Sequence, residues 1–149
     1  MNTRIAKEFH WEMAHRLPFH TGGCQNVHGH SYKLWVELEG ETDTNGMVLD
    51  YLDLKRAVAP LVDALDHSFL CDRADSVMVR FFAEHPLKAV MVDFPTTAEN
   101  IAAYLLGEIT SRLQEQCSRE AWMRLRSIRV RVQETERTFA EVACLISEA

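Results

Sequence analysis

Two runs of alternating apolar and polar residues, joined by a glycine-containing loop, constrain this chain more than any other feature. Along residues 3–15, Ile5, Lys7, Phe9, Trp11, Met13 and His15 fall on one face. Along residues 31–40, Tyr32, Leu34, Val36 and Leu38 alternate with Ser31, Lys33, Trp35 and Glu37. Strand side chains alternate with period two, so both runs read as strands with one buried face. Pro18 to Gly29 lies between them, with Gly22 and Gly23 at its middle, and reads as a wide hairpin loop. A third alternation sets Ile128, Val130 and Val132 against Arg129, Arg131 and Gln133, and residues 140–147 read as a last strand.

Helical patterns fill the middle. Asp43-Thr44-Asn45-Gly46 is a turn signal, followed by a short extended piece from Met47 to Tyr51. Asp53 is expected to cap a helix to about Leu65, with Leu54, Val58, Leu61, Val62 and Leu65 on one stripe. Pro60 should kink that helix or shift its start. Residues 75–85 read as a helix with Val77, Phe81 and Phe82 toward the core, and 88–92 as a short strand. Thr96-x-x-Glu99 has the form of a capping box ahead of a helix from about Ala98 to Cys117, buried along Ile101, Tyr104, Leu105, Ile109 and Leu113. The order is strand, strand, helix, short insert, helix, strand, strand. It predicts an α+β fold, with the helices on one face of an antiparallel sheet. The 149 residues suit a single domain, 1–149.

Composition removes several function classes. Sixteen basic against 22 acidic residues give a net charge of −6, which argues against general nucleic-acid binding. No run of 18 apolar residues is present, so no membrane span is expected. The first residues carry no apolar core of signal-peptide length, so a cytoplasmic protein is expected. The four cysteines, Cys24, Cys71, Cys117 and Cys144, form no C-x-x-C pair. Disulfides and a thiolate metal site are therefore not expected, and Cys117 and Cys144 read as small buried hydrophobes.

His28-Gly29-His30 carries the chemical signal. Residues i and i+2 of a strand project from the same face, so two imidazoles can converge on one ion. Gly29 keeps the intervening position small. His15 ends the preceding strand and supplies a third ring if the strands pair. Three histidines with one open position form a catalytic rather than a structural zinc pattern. His10 and His20, at the wrong spacing, read as surface histidines. Cys24 lies in a polar, glycine-rich loop, where a thiol near a metal or cationic ring serves as base or nucleophile. Asp66-His67 admits two readings, an oriented imidazole or a ring complementing a helix C-terminus. Glu134, at a strand end, is either a solvated glutamate or a partner for a guanidine-like edge.

Taken together, several stretches resemble the 6-pyruvoyl-tetrahydropterin synthase / 6-carboxytetrahydropterin synthase family. They are Phe9-His10-Trp11-Glu12-Met13-Ala14-His15-Arg16-Leu17, Cys24-x-x-x-His28-Gly29-His30, Leu65-Asp66-His67, Thr97-Ala98-Glu99-Asn100 and Glu134-Thr135. The resemblance implies the tunnelling fold, or T-fold: a four-stranded antiparallel sheet with two main helices on one face. It implies Zn²⁺ on His15, His28 and His30, a catalytic Cys24, an Asp66–His67 relay, and a pterin anchored by Glu134 with Thr97 and Glu99 near its edge. It further implies 7,8-dihydroneopterin triphosphate as substrate and a homohexamer built as a dimer of trimers, with sites at subunit interfaces. The spacing from Cys24 to His28 resembles the queuosine branch, whose product is 6-carboxytetrahydropterin with release of acetaldehyde. The biopterin branch eliminates triphosphate without cleaving the side chain. A non-catalytic, zinc-stabilised assembly protein is the reading from a different class. Two features depart from the family pattern: Cys71 stands where many members have asparagine, and the insert from Asp72 to Asp93 is longer than in the shortest members. Arg16, Lys33 and Arg137 are candidates for holding the triphosphate.

Overall fold

A computed structural model of the chain describes residues 1–146. The two alternating runs are its longest strands, β1 (Asn2–His15) and β2 (His28–Glu41). They pair antiparallel over their whole length, with Met13 opposite His30 and His15 opposite His28. β5 (Leu125–Thr135) pairs with β2, and β6 (Thr138–Leu145) pairs with β5, both antiparallel. These are the four expected antiparallel strands; the expected end of the last one at residue 147 lies outside the described residues.

The sheet is wider than expected. β3 (Ser68–Asp72) pairs parallel with β1, and β4 (Ala89–Val92) pairs parallel with β3. The order is β4-β3-β1-β2-β5-β6, six strands in place of four, with β4 and β6 at the two edges. β3 escapes a pattern search because Ser68, Phe69, Leu70 and Cys71 are all buried, and a strand covered on both faces does not alternate.

The core lies between one sheet face and two helices, α1 (Tyr51–Leu65) and α3 (Ala98–Gln116). Trp11 and Met13 of β1, Leu34 and Val36 of β2, and Val130 and Val132 of β5 meet Leu54, Leu61, Leu105 and Ile109 there. Fully burying such a side chain stabilises the fold by about 1.5–3 kcal/mol. Two helix starts differ from expectation. Asp50, not Asp53, caps α1, because its carboxylate reaches the Leu52 N–H. Thr97, not Thr96, caps α3 by accepting from the Asn100 N–H, so there is no Thr96–Glu99 capping box. α1 runs unbroken through Pro60.

The insert folds as α2 (Ser76–Glu84) and β4. α2 packs Met78 against Phe69 and Cys71 in a small second cluster. A further short helix, α4 (Arg119–Arg124), precedes β5; six residues are too few for a periodic signal. The Asp43–Gly46 turn closes as expected, with Gly46 at φ 81°, a conformation that suits glycine.

Candidate active site around three histidines

The register of β1 on β2 makes the site. His15, His28 and His30 occupy core-facing positions at one end of the sheet, and their ligating nitrogens all lie within 4.8 Å of one another. Ring centroids are 4.6 Å apart for His15–His28, 5.0 Å for His28–His30 and 5.3 Å for His15–His30. A side chain at Gly29 would press on the Met13 carbonyl at 3.3 Å, so the small residue permits the close strand approach that brings the rings together.

Backbone carbonyls set the tautomers. His15 Nδ1 lies 2.7 Å from the Thr96 carbonyl, and His28 Nδ1 lies 2.8 Å from the Asn26 carbonyl. A carbonyl only accepts, so each Nδ1 carries the proton and each Nε2 keeps its lone pair. Such an outer hydrogen bond is how a ligating imidazole is oriented. His15 Nε2 is buried with no hydrogen-bond partner in the protein. Burial pushes the His15 pKa down to about 4, aided by the charges of His28 and His30 and opposed by the bond to Thr96. Burial also lowers that of His30. Two Nε2 lone pairs left free by carbonyl-bound Nδ1 atoms, a neutral His15 ring and its orphaned buried nitrogen fit a divalent cation of the zinc type.

Glu134 reaches the same cluster from β5. Its Oε1 lies 3.7 Å from His15 Nε2, and its Oε2 lies 3.9 Å from His30 Nε2. With the His15 ring neutral, this is proximity rather than an ion pair. The Tyr32 hydroxyl donates to Glu134 Oε1 at 3.0 Å. Burial, and then the Glu134 charge, raises the Tyr32 pKa, so the phenol stays a donor. Tyr32 and Thr96 escape a reading of the sequence. One passes for a core residue, and the other acts through its backbone carbonyl.

Asp66 and His67 form a pair at 2.9 Å between Oδ2 and Nδ1. The other carboxylate oxygen accepts from the Glu12 N–H at 2.8 Å, and the His67 N–H donates to the Glu12 carbonyl at 2.7 Å. Lys88 Nζ donates to the Asp66 carbonyl. Those bonds hold His67 at φ 57°, left-handed backbone that costs a non-glycine residue about 1 kcal/mol or more. The Glu12 N–H, and then His67, hold the Asp66 carboxyl below the usual carboxylate range, so it stays ionised and orients the ring.

A groove of about 850 Å³ joins His67 to His30, walled by Phe69, Phe81, Phe82 and Leu87. Three of those walls, and Lys88, come from the insert. Cys24 does not line this groove; it sits half-buried in a 3₁₀ turn, Gly23–Gln25, on the β1–β2 loop. Thr97 caps α3, and Glu99 is exposed in its first turn; neither hydrogen-bonds the histidines among the described residues. His10 and His20 are exposed, and Cys117 and Cys144 pack half-buried against the core. No helix of the described residues is long and apolar enough to cross a membrane.

Known proteins resemble this chain in sequence and fold. The chain is 40% identical over 114 residues to the 6-carboxy-5,6,7,8-tetrahydropterin synthase of Haemophilus influenzae, covering 71% of this chain and 81% of that one. It is 32% identical over 135 residues to the enzyme of the same name from Aquifex aeolicus, covering 77% and 83%. Among solved structures, the 6-pyruvoyl tetrahydropterin synthase of Plasmodium vivax superposes with a TM-score of 0.80 over 98% of this chain and 99% of that one. At 18% identity that likeness concerns the T-fold alone. An uncharacterised protein of Wolinella succinogenes superposes at 0.77 with 25% identity, over 95% and 98%. The model of the 6-pyruvoyl tetrahydropterin synthase family matches residues 4–144, a span holding the three histidines, Cys24, the Asp66–His67 pair and Glu134, and this chain belongs to that family.

Proposed function

We propose that this chain is a zinc-dependent lyase that takes 7,8-dihydroneopterin triphosphate and water to 6-carboxy-5,6,7,8-tetrahydropterin, acetaldehyde and triphosphate. The observation that carries the reading is the set of three imidazoles, their nitrogens within 4.8 Å, one of them orphaned, beside a groove that ends at His67. The names of the relatives favour the 6-carboxy product over the 6-pyruvoyl one.

His15, His28 and His30 would hold the ion. When bound, zinc supplies Lewis-acid polarisation of a substrate oxygen. The residues of the chain do the rest. Asp66 fixes the His67 tautomer by accepting from Nδ1, which leaves Nε2 free to take or give a proton in the groove. Cys24 is the second proton-moving group. Glu134, steadied at Oε1 by Tyr32, keeps Oε2 for the guanidine-like edge of a pterin, and so seats the ring next to the histidines. Thr97 and Glu99 stand near that edge. The apolar insert wall excludes water from one side of the groove. Because Cys24 lies off the groove that serves His67, a second copy of the chain completes the set, in keeping with a homo-oligomer, here a homohexamer.

Incubation of the zinc-loaded protein with 7,8-dihydroneopterin triphosphate tests the product. Acetaldehyde and triphosphate in equal amounts are expected. Triphosphate without acetaldehyde would reject the 6-carboxy product and leave 6-pyruvoyl-tetrahydropterin. Cys24→Ala should keep its zinc and lose turnover; retained turnover would mean that the thiol has no catalytic part.

A further inference from the structure

The side chain that follows His15 is tied in more directions than any site residue above. Arg16 Nε donates to Asp75 Oδ2 at 2.6 Å, and Nη2 donates to Oδ1 at 2.9 Å. Nη1 donates to the Gln25 carbonyl at 3.2 Å. The Arg16 carbonyl accepts from Thr96 Oγ1 at 3.2 Å, and Thr96 in turn holds His15. Asp75 belongs to the insert, is only 5% exposed, and caps α2 by accepting from the Met78 N–H. A carboxylate this buried needs a cationic partner, and the two parallel bonds of a guanidinium are the most directional partner there is. The fork fixes the guanidinium plane, and the plane fixes where the third arm points.

That arm falls on the residue next to Cys24. The Cys24 carbonyl itself accepts from the Leu17 N–H at 2.8 Å, one residue beyond Arg16. Two consecutive residues leaving β1 therefore grip two consecutive residues of the turn that carries the thiol. Thr21 and Gly22 precede that turn and Gly23 opens it, and two glycines give it little stiffness of its own.

We propose that Arg16 is a positioning residue for Cys24: buried Asp75 of the insert orients the guanidinium, and the guanidinium holds the Gly23–Gln25 turn and so fixes how the thiol is presented. The insert thus sets the reactivity of a loop that lies well before it in the chain. The proposal rests on the role given to Cys24 above, and its test separates the two.

Asp75→Asn is the informative variant, because asparagine caps a helix as well as aspartate does and only the ion pair is lost. Arg16→Lys keeps the charge and loses the fork and the arm to Gln25. Zinc content, the rate of iodoacetamide labelling at Cys24 relative to Cys117, and kcat and KM are measured on each. Zinc content should be unchanged, relative labelling should change at least about fivefold, and kcat should fall on the order of tenfold with KM held within about twofold. Wild-type labelling rates in both variants overturn the proposal, as does loss of zinc without any change at Cys24. Hydrogen exchange on the unmodified protein gives a readout without substitution. The Leu17 amide should exchange as slowly as those of central β1, and free exchange there also overturns the proposal. The labelling result stands whether or not Cys24→Ala abolishes turnover, so failure of the catalytic reading and failure of the positioning reading are distinguishable.

Discussion

At His67 the backbone and the side chain want different residues. Left-handed φ suits glycine, and the imidazole is there at a cost in folding energy. His67→Gly should therefore raise stability by roughly 0.5–1 kcal/mol, or a few degrees in Tm, while abolishing turnover; a thermal melt and an activity assay on one preparation check both. Tyr32→Phe removes the donor to Glu134 without opening a cavity. It should raise KM several-fold and leave zinc bound, since Tyr32 touches the anchor and no metal nitrogen is bonded to it. The three histidines are legible in the sequence because period-two spacing and strand pairing together place them. The roles of Tyr32, Thr96 and Arg16 are not, because each depends on a partner 59 to 102 residues away or on a backbone carbonyl.

Among the elements, α2 is held by its ends more than by its length. Its cap, Asp75, is also the partner of Arg16, and the hydrogen bonds from Arg16 keep the Asp75 pKa below its ordinary value. A carboxylate whose folded pKa is lowered contributes stability above its unfolded pKa of about 3.9 and loses it as pH falls through the folded value. The wild type should exceed Asp75→Asn by roughly 1–3 kcal/mol near neutrality, and the gap should close as pH drops below about 4. Urea titrations at pH 7 and pH 3 measure it; a gap unchanged between them would show that the pair contributes nothing. β1, β2 and β5 are readable because one face of each is buried and the other is wet. β3 hides because both faces are covered, and α1 begins at Tyr51 because a carboxylate at 50, not 53, can reach the first free N–H.

For the whole molecule, the distribution of groups within one copy matters most. The Asp66–His67 pair is exposed at the groove, while Cys24 sits elsewhere on the β1–β2 loop. Mixing Cys24→Ala with His67→Ala, after unfolding and refolding together, should restore a fraction of wild-type turnover, because some sites then combine an intact thiol with an intact ring. No restoration would place all catalytic groups in a single copy. The T-fold was legible from element order and motif order together, but the width of the sheet was not, since β3 does not alternate and the short strand read at 88–92 joins the sheet only through it. Among the described residues that sheet ends on β4 and β6, whose outer backbone groups have no strand beside them, and β6 also exposes Phe139 and Leu145. Were copies of the chain to complete those edges for one another, dilution would act as a denaturant, and the melting temperature should rise with protein concentration.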